Sequence, residues 1–368
     1  MLDVAVLGGG LIGCAIARLL AREGRRVAIF ERRGIGGEAS GAAVGMLGVQ
    51  AECADEFMLR LGLESQARYP ALLAAVREET GVAVEYWRQG TLQVAFGAAE
   101  AAALAARLAW QSAAGAPAQR LSATELRALE PQLNPRLSGG VLFPLDGRVD
   151  NRALTAALGR AAAAAGCALR EGEEVRSVIA DGGRVAGITT ASGRVPCAAV
   201  VNAMGAWAAR VQGVTPLPVH PVRGQIAVLQ AARAPFRHAV ASARGYVVAR
   251  RDGRLLLGST LEAAGFEKRV TAGGLAGILA AGLELAPSLG RLPLVDSWSG
   301  LRPGSADGRP IVSADPALRG YIVASGHFRN GVLLAPLTAE LVAALLRGER
   351  TAWHAALSIE RFAAAASA

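Results

Sequence analysis

The sequence predicts an α/β fold with an α+β part: a discontinuous Rossmann-like nucleotide-binding domain, and a second domain with a mainly antiparallel sheet. Three observations predict it. Residues 3–31 read DVAVLGGGLIGCAIARLLAREGRRVAIFE, an apolar run, three glycines, a helical stretch and a second apolar run closed by an acid. Strand-forming runs parted by Asp-Gly and Ser-Gly turns fill 174–203 and 222–260. The chain closes on a strand, a glycine loop and a helix, GYIVASGHFRNGVLLAPLTAELVAALL at 320–346.

Gly8, Gly10 and Gly13 fit G-x-G-x-x-G directly after the first apolar run. In that pattern one glycine makes a tight turn, one lets the backbone approach a pyrophosphate, and one lets the helix pack closely on the strand. The helix opens near Leu11, where its N–H groups and its dipole favour negative charge. Ala17, Leu20 and Ala21 give it an apolar face, and Gly24 is its expected C-cap. Val27–Phe30 forms the next strand, and Glu31 ends it. A carboxylate there accepts hydrogen bonds from a ribose diol and repels a 2′-phosphate. The register points to a dinucleotide carrying an ADP half. Alone, it leaves FAD and NAD open.

After Glu31 the run RRGIGGEASGAAVGMLGVQAE is small and glycine-rich to residue 48. It leaves the carboxyl end of the second strand, where α/β folds bind ligands, and lets backbone lie against a flat molecule. Residues 55–80 have helical apolar spacing. Val82–Phe96 reads as strands around a Gln89-Gly90 turn. Residues 98–130 are helical, with a capping box at Ser122 and Glu125. Gly139–Phe143 is a strand, and Asp150 or Asn151 caps a helix that Gly166 stops.

A meander follows: Glu174–Ile179, Val185–Thr190 and a strand at Val195. Ala198–Ala203 is a buried strand followed by Gly205, again close to a nucleotide site. Strands then dominate to residue 260, with a hairpin turn at Arg251-Asp252-Gly253. A helix spans about 273–286, and the last helix starts near Asn330. Residues 1–75, 140–215 and 295–347 are assigned to the cofactor domain, 76–139 and 216–294 to the second domain, and 348–368 to a C-terminal tail. The active site is expected between the two domains.

At 368 residues and 52% hydrophobic, the chain is long and apolar enough to bury a full core. Its mean hydropathy is +0.33, yet no apolar run reaches the roughly 18 residues a membrane span needs. No cationic stretch precedes the first apolar run, so a cytoplasmic location is expected. Cys14, Cys53, Cys167 and Cys197 are scattered and suit free thiols. The four histidines form no metal-ligand motif, and no metal is expected. The net charge of +9 is spread rather than clustered, so it reads as a solvated surface and not as a nucleic-acid footprint.

The fingerprint, GMLG at 45–48, VRGQ at 222–225, GLRPGSADGRP at 300–310 and GHFRNGVLLAP at 326–336 together resemble the D-amino-acid oxidase family of flavoproteins. The likeness spans nearly the whole chain in order, and the two C-terminal motifs are its specific part. Within the family it is greatest to the members that oxidise glycine and supply the imine for the thiazole of thiamine. The resemblance implies non-covalent FAD and oxidative deamination of glycine, sarcosine or small D-amino acids by hydride transfer, giving an imino acid and H2O2. A small amino acid and O2 are the expected partners, without nucleic acid or membrane, and a homotetramer is common in the family. Relatives that bind flavin covalently use a cysteine in the C-terminal half; this chain has none after Cys197.

Such an enzyme holds a carboxylate and aims a Cα–H at the flavin. Arg302, flanked by glycine and proline, can form a bidentate fork with a carboxylate. The resemblance makes it the carboxylate anchor, with Tyr246 as a second donor and Arg329 as another substrate-side arginine. It assigns the loop His327, Phe328, Arg329, Asn330, Gly331, Val332 and Leu333 to the flavin. Leu11, Ile12, Glu31 and Arg32 are expected at the adenine end, with Val175 holding adenine through its backbone. Ala39, Ser40, Val44, Gly45 and Met46 are expected along the pyrophosphate and isoalloxazine. Arg244 and Leu261 depart from the family pattern, so in the region 244–266 the resemblance says least about substrate choice.

Three other readings compete. A D-amino-acid dehydrogenase would pass electrons to a quinone or another non-oxygen acceptor. A tRNA-modifying flavoprotein would use the basic surface. A dinucleotide sensor would catalyse nothing.

Overall fold

The computed structural model describes residues 1–362. In the first sheet the strands Ala168–Glu171, Val27–Glu31, Leu2–Leu7, Gly193–Asn202 and Tyr321–Ser325 lie side by side and parallel. Ile311–Ala314 adds an antiparallel edge. Gly193–Asn202 pairs with three strands. Its second half sits in the parallel core, and its first half carries the antiparallel meander Val175–Asp181 and Arg184–Thr190. The expectation of two strands here is corrected to one: the strand runs straight through Pro196, which lies opposite Gly187.

Strand alternation sorts the core. Val4 and Val6 pack under the helices Leu11–Arg22, Asn151–Ala164 and Gly331–Arg347, while Ala5 and Leu7 face Val175, Ile188 and Leu217. All four strand residues are fully buried, as expected for a sheet covered on both faces.

The second sheet runs Leu294–Ser305, Val219–Gln230, Arg254–Gly258, Tyr246–Ala249, Ala239–Ala241, Thr91–Ala95, Gly139–Phe143 and Gln119–Leu121. Only the Ala239–Ala241 and Thr91–Ala95 contact is parallel. The helix Ala272–Leu285 covers it, with Ile278 and Leu285 packed among Leu255, Leu257 and Val247. Gly139–Phe143 and Leu294–Ser305 pair within this sheet. The expected domain boundaries at 140 and 295 cut these strands from their partners, so by pairing they move beyond 143 and 305.

Other elements differ locally. The stretch 55–80 is two helices, Glu56–Gln66 and Tyr69–Thr80. Pro70 stands in the first turn of the second, where a missing N–H does least harm. Within 98–130, Gln119–Leu121 is a strand, and the Ser122–Glu125 capping box opens the helix Ala123–Leu129 as expected. Tyr86–Trp87 and Thr91–Ala95 do not pair around Gln89-Gly90. Tyr86–Trp87 joins Met46–Leu47 and Gly147–Val149 in a small third sheet. Ala168–Glu171 was not legible, being short, charged and at an edge. Within the expected tail, Ala352–Leu357 is helical; positions 363–368 lie outside the described residues.

Candidate active site

The carboxyl ends of Leu2–Leu7 and Val27–Glu31 open into a cleft that reaches Gly224, Ile226 and Tyr246 on the face of the second sheet. At the fingerprint the backbone is too close-packed for a side chain. Gly8 has φ +100°, and a Cβ on Gly13 would stand 2.0 Å from the Gly8 carbonyl oxygen. Gly13 therefore serves helix–strand packing and does not itself line the cleft, whereas Gly8, Gly10, Leu11 and Ile12 do. Glu31 is pinned at the strand end: Oε2 accepts the Gly9 N–H at 2.8 Å and Oε1 the Arg33 N–H at 3.0 Å. Arg32 lies 3.9 Å from the Trp207 ring centroid and pairs with Glu38. Val175 and Gly205 complete this end.

Ala39, Ser40, Val44, Gly45 and Met46 form the adjoining wall. The expected loop there holds a short helical turn, Ala39–Ala42. Ser40 Oγ accepts the Leu11 N–H at 2.8 Å, and Asn151 Nδ2 donates to the Ser40 carbonyl at 2.7 Å. Arg250, from the second sheet, reaches across. It donates to the carbonyls of Val44 (2.9 Å) and Val149 (3.2 Å) and to Asn151 Oδ1 (3.1 Å). Both domains thus hold this wall.

At the other end Arg302 lies inside the strand Leu294–Ser305 rather than between a strand and a turn. Pro303 is tolerated because this is the edge strand of its sheet. Arg302 Nη2 donates to Ser259 Oγ at 2.7 Å and Nη1 to the Thr260 carbonyl at 3.1 Å. A Cβ on Gly224 would lie 2.2 Å from Nη1, so the guanidinium fills space that only glycine leaves open. Tyr246 is buried beside it, and burial raises its phenol above the ordinary value, keeping the O–H a donor. Burial, with Arg329 adding to it, lowers the proton affinity of Arg302.

His327, Phe328, Arg329, Gly331 and Val332 line the cleft. Phe328 has φ +47°, an uncommon conformation for a bulky residue, and its N–H donates to the Pro303 carbonyl at 2.8 Å. That bond ties the loop to the Arg302 strand. Burial drives His327 down to about 4, so it is neutral, and its Nε2 meets Thr338 Oγ1 at 3.0 Å. Asn330 caps the last helix, and Leu333 packs in the core; neither lines the cleft. Arg244 is at the surface, paired with Glu284 at 2.5 Å, and Leu261 is 55% exposed; neither reaches the cleft.

Sequence reasoning missed Glu52, Ser259 and Gly224. Arg329 donates to Glu52 Oε1 from Nε at 3.1 Å and from Nη2 at 2.5 Å. The segment that carries Glu52 is fixed from outside the cleft. The fully buried Asp146 carboxylate accepts the N–H groups of Gln50 at 2.7 Å and Ala51 at 3.2 Å. Burial pushes Asp146 from 3.8 up to about 7, against these hydrogen bonds. A carboxyl raised on folding gives stability that is complete below its unfolded pKa and is lost as pH rises through the folded one. Asp146→Asn removes this titration. Between about pH 5 and 8 the melting temperature of the parent should therefore fall relative to the variant's, by several degrees. Parallel thermal melts across that range check it; a constant difference refutes it.

Fold and cleft together set a glycine turn of the dinucleotide-binding type on the parallel sheet opposite the Arg302 guanidinium on the antiparallel one, the arrangement of a two-domain oxidoreductase. The chain belongs to the DAO family of FAD-dependent oxidoreductases, whose profile matches residues 3–345. It is 40% identical to glycine oxidase of Geobacillus kaustophilus over 96% of this chain and 95% of that protein. The crystal structure of glycine oxidase from that organism superposes with a TM-score of 0.93, at 39% identity over 97% of this chain and 98% of that one. A bifunctional ThiO/ThiG protein of Synechocystis sp. is 34% identical over 95% of this chain, which spans 52% of that protein. Iminodiacetate oxidase from Chelativorans sp. BNC1 superposes with a TM-score of 0.86 at 30% identity, over 95% and 96% of the two chains.

The residues present fit FAD. The close-packed glycine turn, the pinned Glu31 and the small-residue wall 39–46 make a bed for its two halves. None of the four cysteines lines the cleft, which suits non-covalent binding.

Proposed function

We propose that this protein oxidises glycine, and also sarcosine or small D-amino acids, to the imino acid with reduction of O2 to H2O2, and that it serves synthesis of the thiazole of thiamine. FAD, which Gly8, Gly10, Glu31 and the wall at 39–46 would hold, would supply a two-electron acceptor for the hydride equivalent of the substrate Cα, reoxidised by O2.

The chain's own residues do the rest. Arg302, whose hydrogen-bond partners within the protein are neutral, offers its charge to the substrate carboxylate, and such charge-assisted pairs are the strong ones. The Tyr246 O–H donates to the same group. Together they fix one end of the substrate, and orientation of this kind can supply much of a rate enhancement. Burial holds His327 neutral and makes it a weak base, so it does not serve to deprotonate the amine. Gly331 opens the last helix on the cleft wall, where the helix N-terminus favours an acceptor that gains negative charge. Thiamine synthesis is supported by the likeness to the ThiO/ThiG protein.

The single observation that carries the reading is Arg302 beside Tyr246 in the cleft. Anaerobic glycine should bleach the visible absorption of the FAD holoenzyme, and readmitted air should restore it with formation of peroxide. A spectrum unchanged by glycine, sarcosine and D-alanine would sink it. The likeness to iminodiacetate oxidase makes a dicarboxylic amine the competing substrate.

A further inference from the structure

The cleft holds two arginines near the substrate position, and they differ in company. Among the described residues Arg302 donates to neutral groups, the Ser259 hydroxyl and the Thr260 carbonyl, with the Tyr246 phenol beside it. Arg329 donates twice to Glu52, whose side chain is 11% exposed. The Glu52 carboxylate is the main influence holding Arg329 above its ordinary pKa.

The backbone that leads into Glu52 is held in place. Besides the bonds of Gln50 and Ala51 to Asp146, Gln50 donates to the Pro117 carbonyl at 2.8 Å and accepts the Leu145 N–H at 3.0 Å. Arg107 donates to the Ala51 carbonyl at 2.6 Å. The ion pair is therefore built before any ligand arrives.

Charge balance follows. Arg302, Arg329 and Glu52 sum to one positive charge. An amino acid with a free carboxylate and a neutral amine carries one negative charge and balances it. A ligand with a second carboxylate would bring an uncompensated charge into a desolvated site, next to Glu52, which repels it. The neighbouring charges Glu31, Arg32 and Glu38 are engaged at the fingerprint end and offer no relief.

We infer that Glu52 is a specificity-determining residue: by masking Arg329 it confines the site to monocarboxylic amines, and its removal would open the site to dicarboxylic ones. This deepens the proposed function and depends on it.

The test uses FAD holoenzyme and a matched, non-oxidisable pair of ligands, (methylthio)acetate with one carboxylate and thiodiacetate with two, titrated against the visible spectrum of the bound flavin. The parent should bind thiodiacetate no more tightly than (methylthio)acetate. Glu52→Gln should shift the ratio of the two dissociation constants toward thiodiacetate by about 10- to 100-fold, the lower end of close charge-pair couplings. In steady state it should lower kcat/KM for glycine and raise it for iminodiacetate. Glu52→Gln combined with Arg329→Leu should return the ligand ratio to the parent's.

A ratio within about threefold of the parent's in Glu52→Gln overturns the inference. So does a gain that persists without Arg329. Where Glu52→Gln does not retain FAD, the parent alone decides, since a tenfold preference for thiodiacetate there would show that Arg329 is not masked. If glycine fails to bleach the parent's flavin and neither acid perturbs it, the proposed function itself fails, and that outcome is distinct from the others.

Discussion

Arg302→Met should lower kcat/KM for glycine by about 10²–10³-fold, mainly through KM, while FAD content and melting temperature stay close to the parent's. Truncating one partner of a buried, hydrogen-bonded charge pair commonly costs 2–5 kcal/mol, and here the orphaned partner is the substrate carboxylate. Methionine keeps most of the volume. Inside the protein the bonds to Ser259 and Thr260 and the contact with Tyr246 are lost, all of them to neutral groups. Arg302→Lys is the informative companion. It restores the charge without the planar fork and should recover part of the loss. Steady-state kinetics with glycine and the flavin absorbance ratio check both variants. A kcat/KM for Arg302→Met within about fivefold of the parent's would remove the carboxylate anchor from the mechanism.

Gly224→Ala should separate function from stability more sharply. The added Cβ would fall 2.2 Å from Nη1, 2.4 Å from Nη2 and 2.5 Å from Cζ of Arg302. The guanidinium is the far end of a flexible side chain, so it can move aside at little cost to folding. It cannot move aside and still keep Ser259, Thr260 and an incoming carboxylate in reach. KM for glycine should rise about 10- to 100-fold, since a small misplacement of a positioning group is costly. Melting temperature should change by only a few degrees. An unchanged KM would mean that the Arg302 position has slack.

Much of this was legible in the sequence, and the reason is locality. The glycine turn, the helix from Leu11, the strand ending at Glu31, the Ser122 capping box and the helix capped at Asn330 each carry their signal within one or two turns of chain. What failed was pairing. Nothing near Thr91 says that its strand partners Gly139–Phe143 rather than Tyr86–Trp87. Pro303 suggests a break, and only the sheet shows that it occupies an edge.

The candidate site divides in the same way. Arg302 stands out because glycine and proline flank it. Glu52 sits in QAECADE, an unremarkable acidic stretch, and acquires its meaning from Arg329, 277 residues away. Gly224 reads as a strand glycine until the guanidinium above it is seen. Arg244 and Leu261 drew attention by departing from a family pattern, and the fold leaves them at the surface.

The two large sheets share one chain in alternation. It builds Leu2–Glu31 in the first, Thr91–Phe143 in the second, Ala168–Asn202 in the first, Val219–Ser305 in the second, and returns to the first at Ile311. Arg250 then bolts the second sheet onto the cofactor wall. A single recombination event therefore cannot exchange one sheet for another lineage's, because no single cut separates all the strands of one sheet from those of the other. New substrate ranges in such a chain have to arise by point replacement at the few side chains where the sheets meet, and descendants would diverge in what they bind long before they diverge in shape.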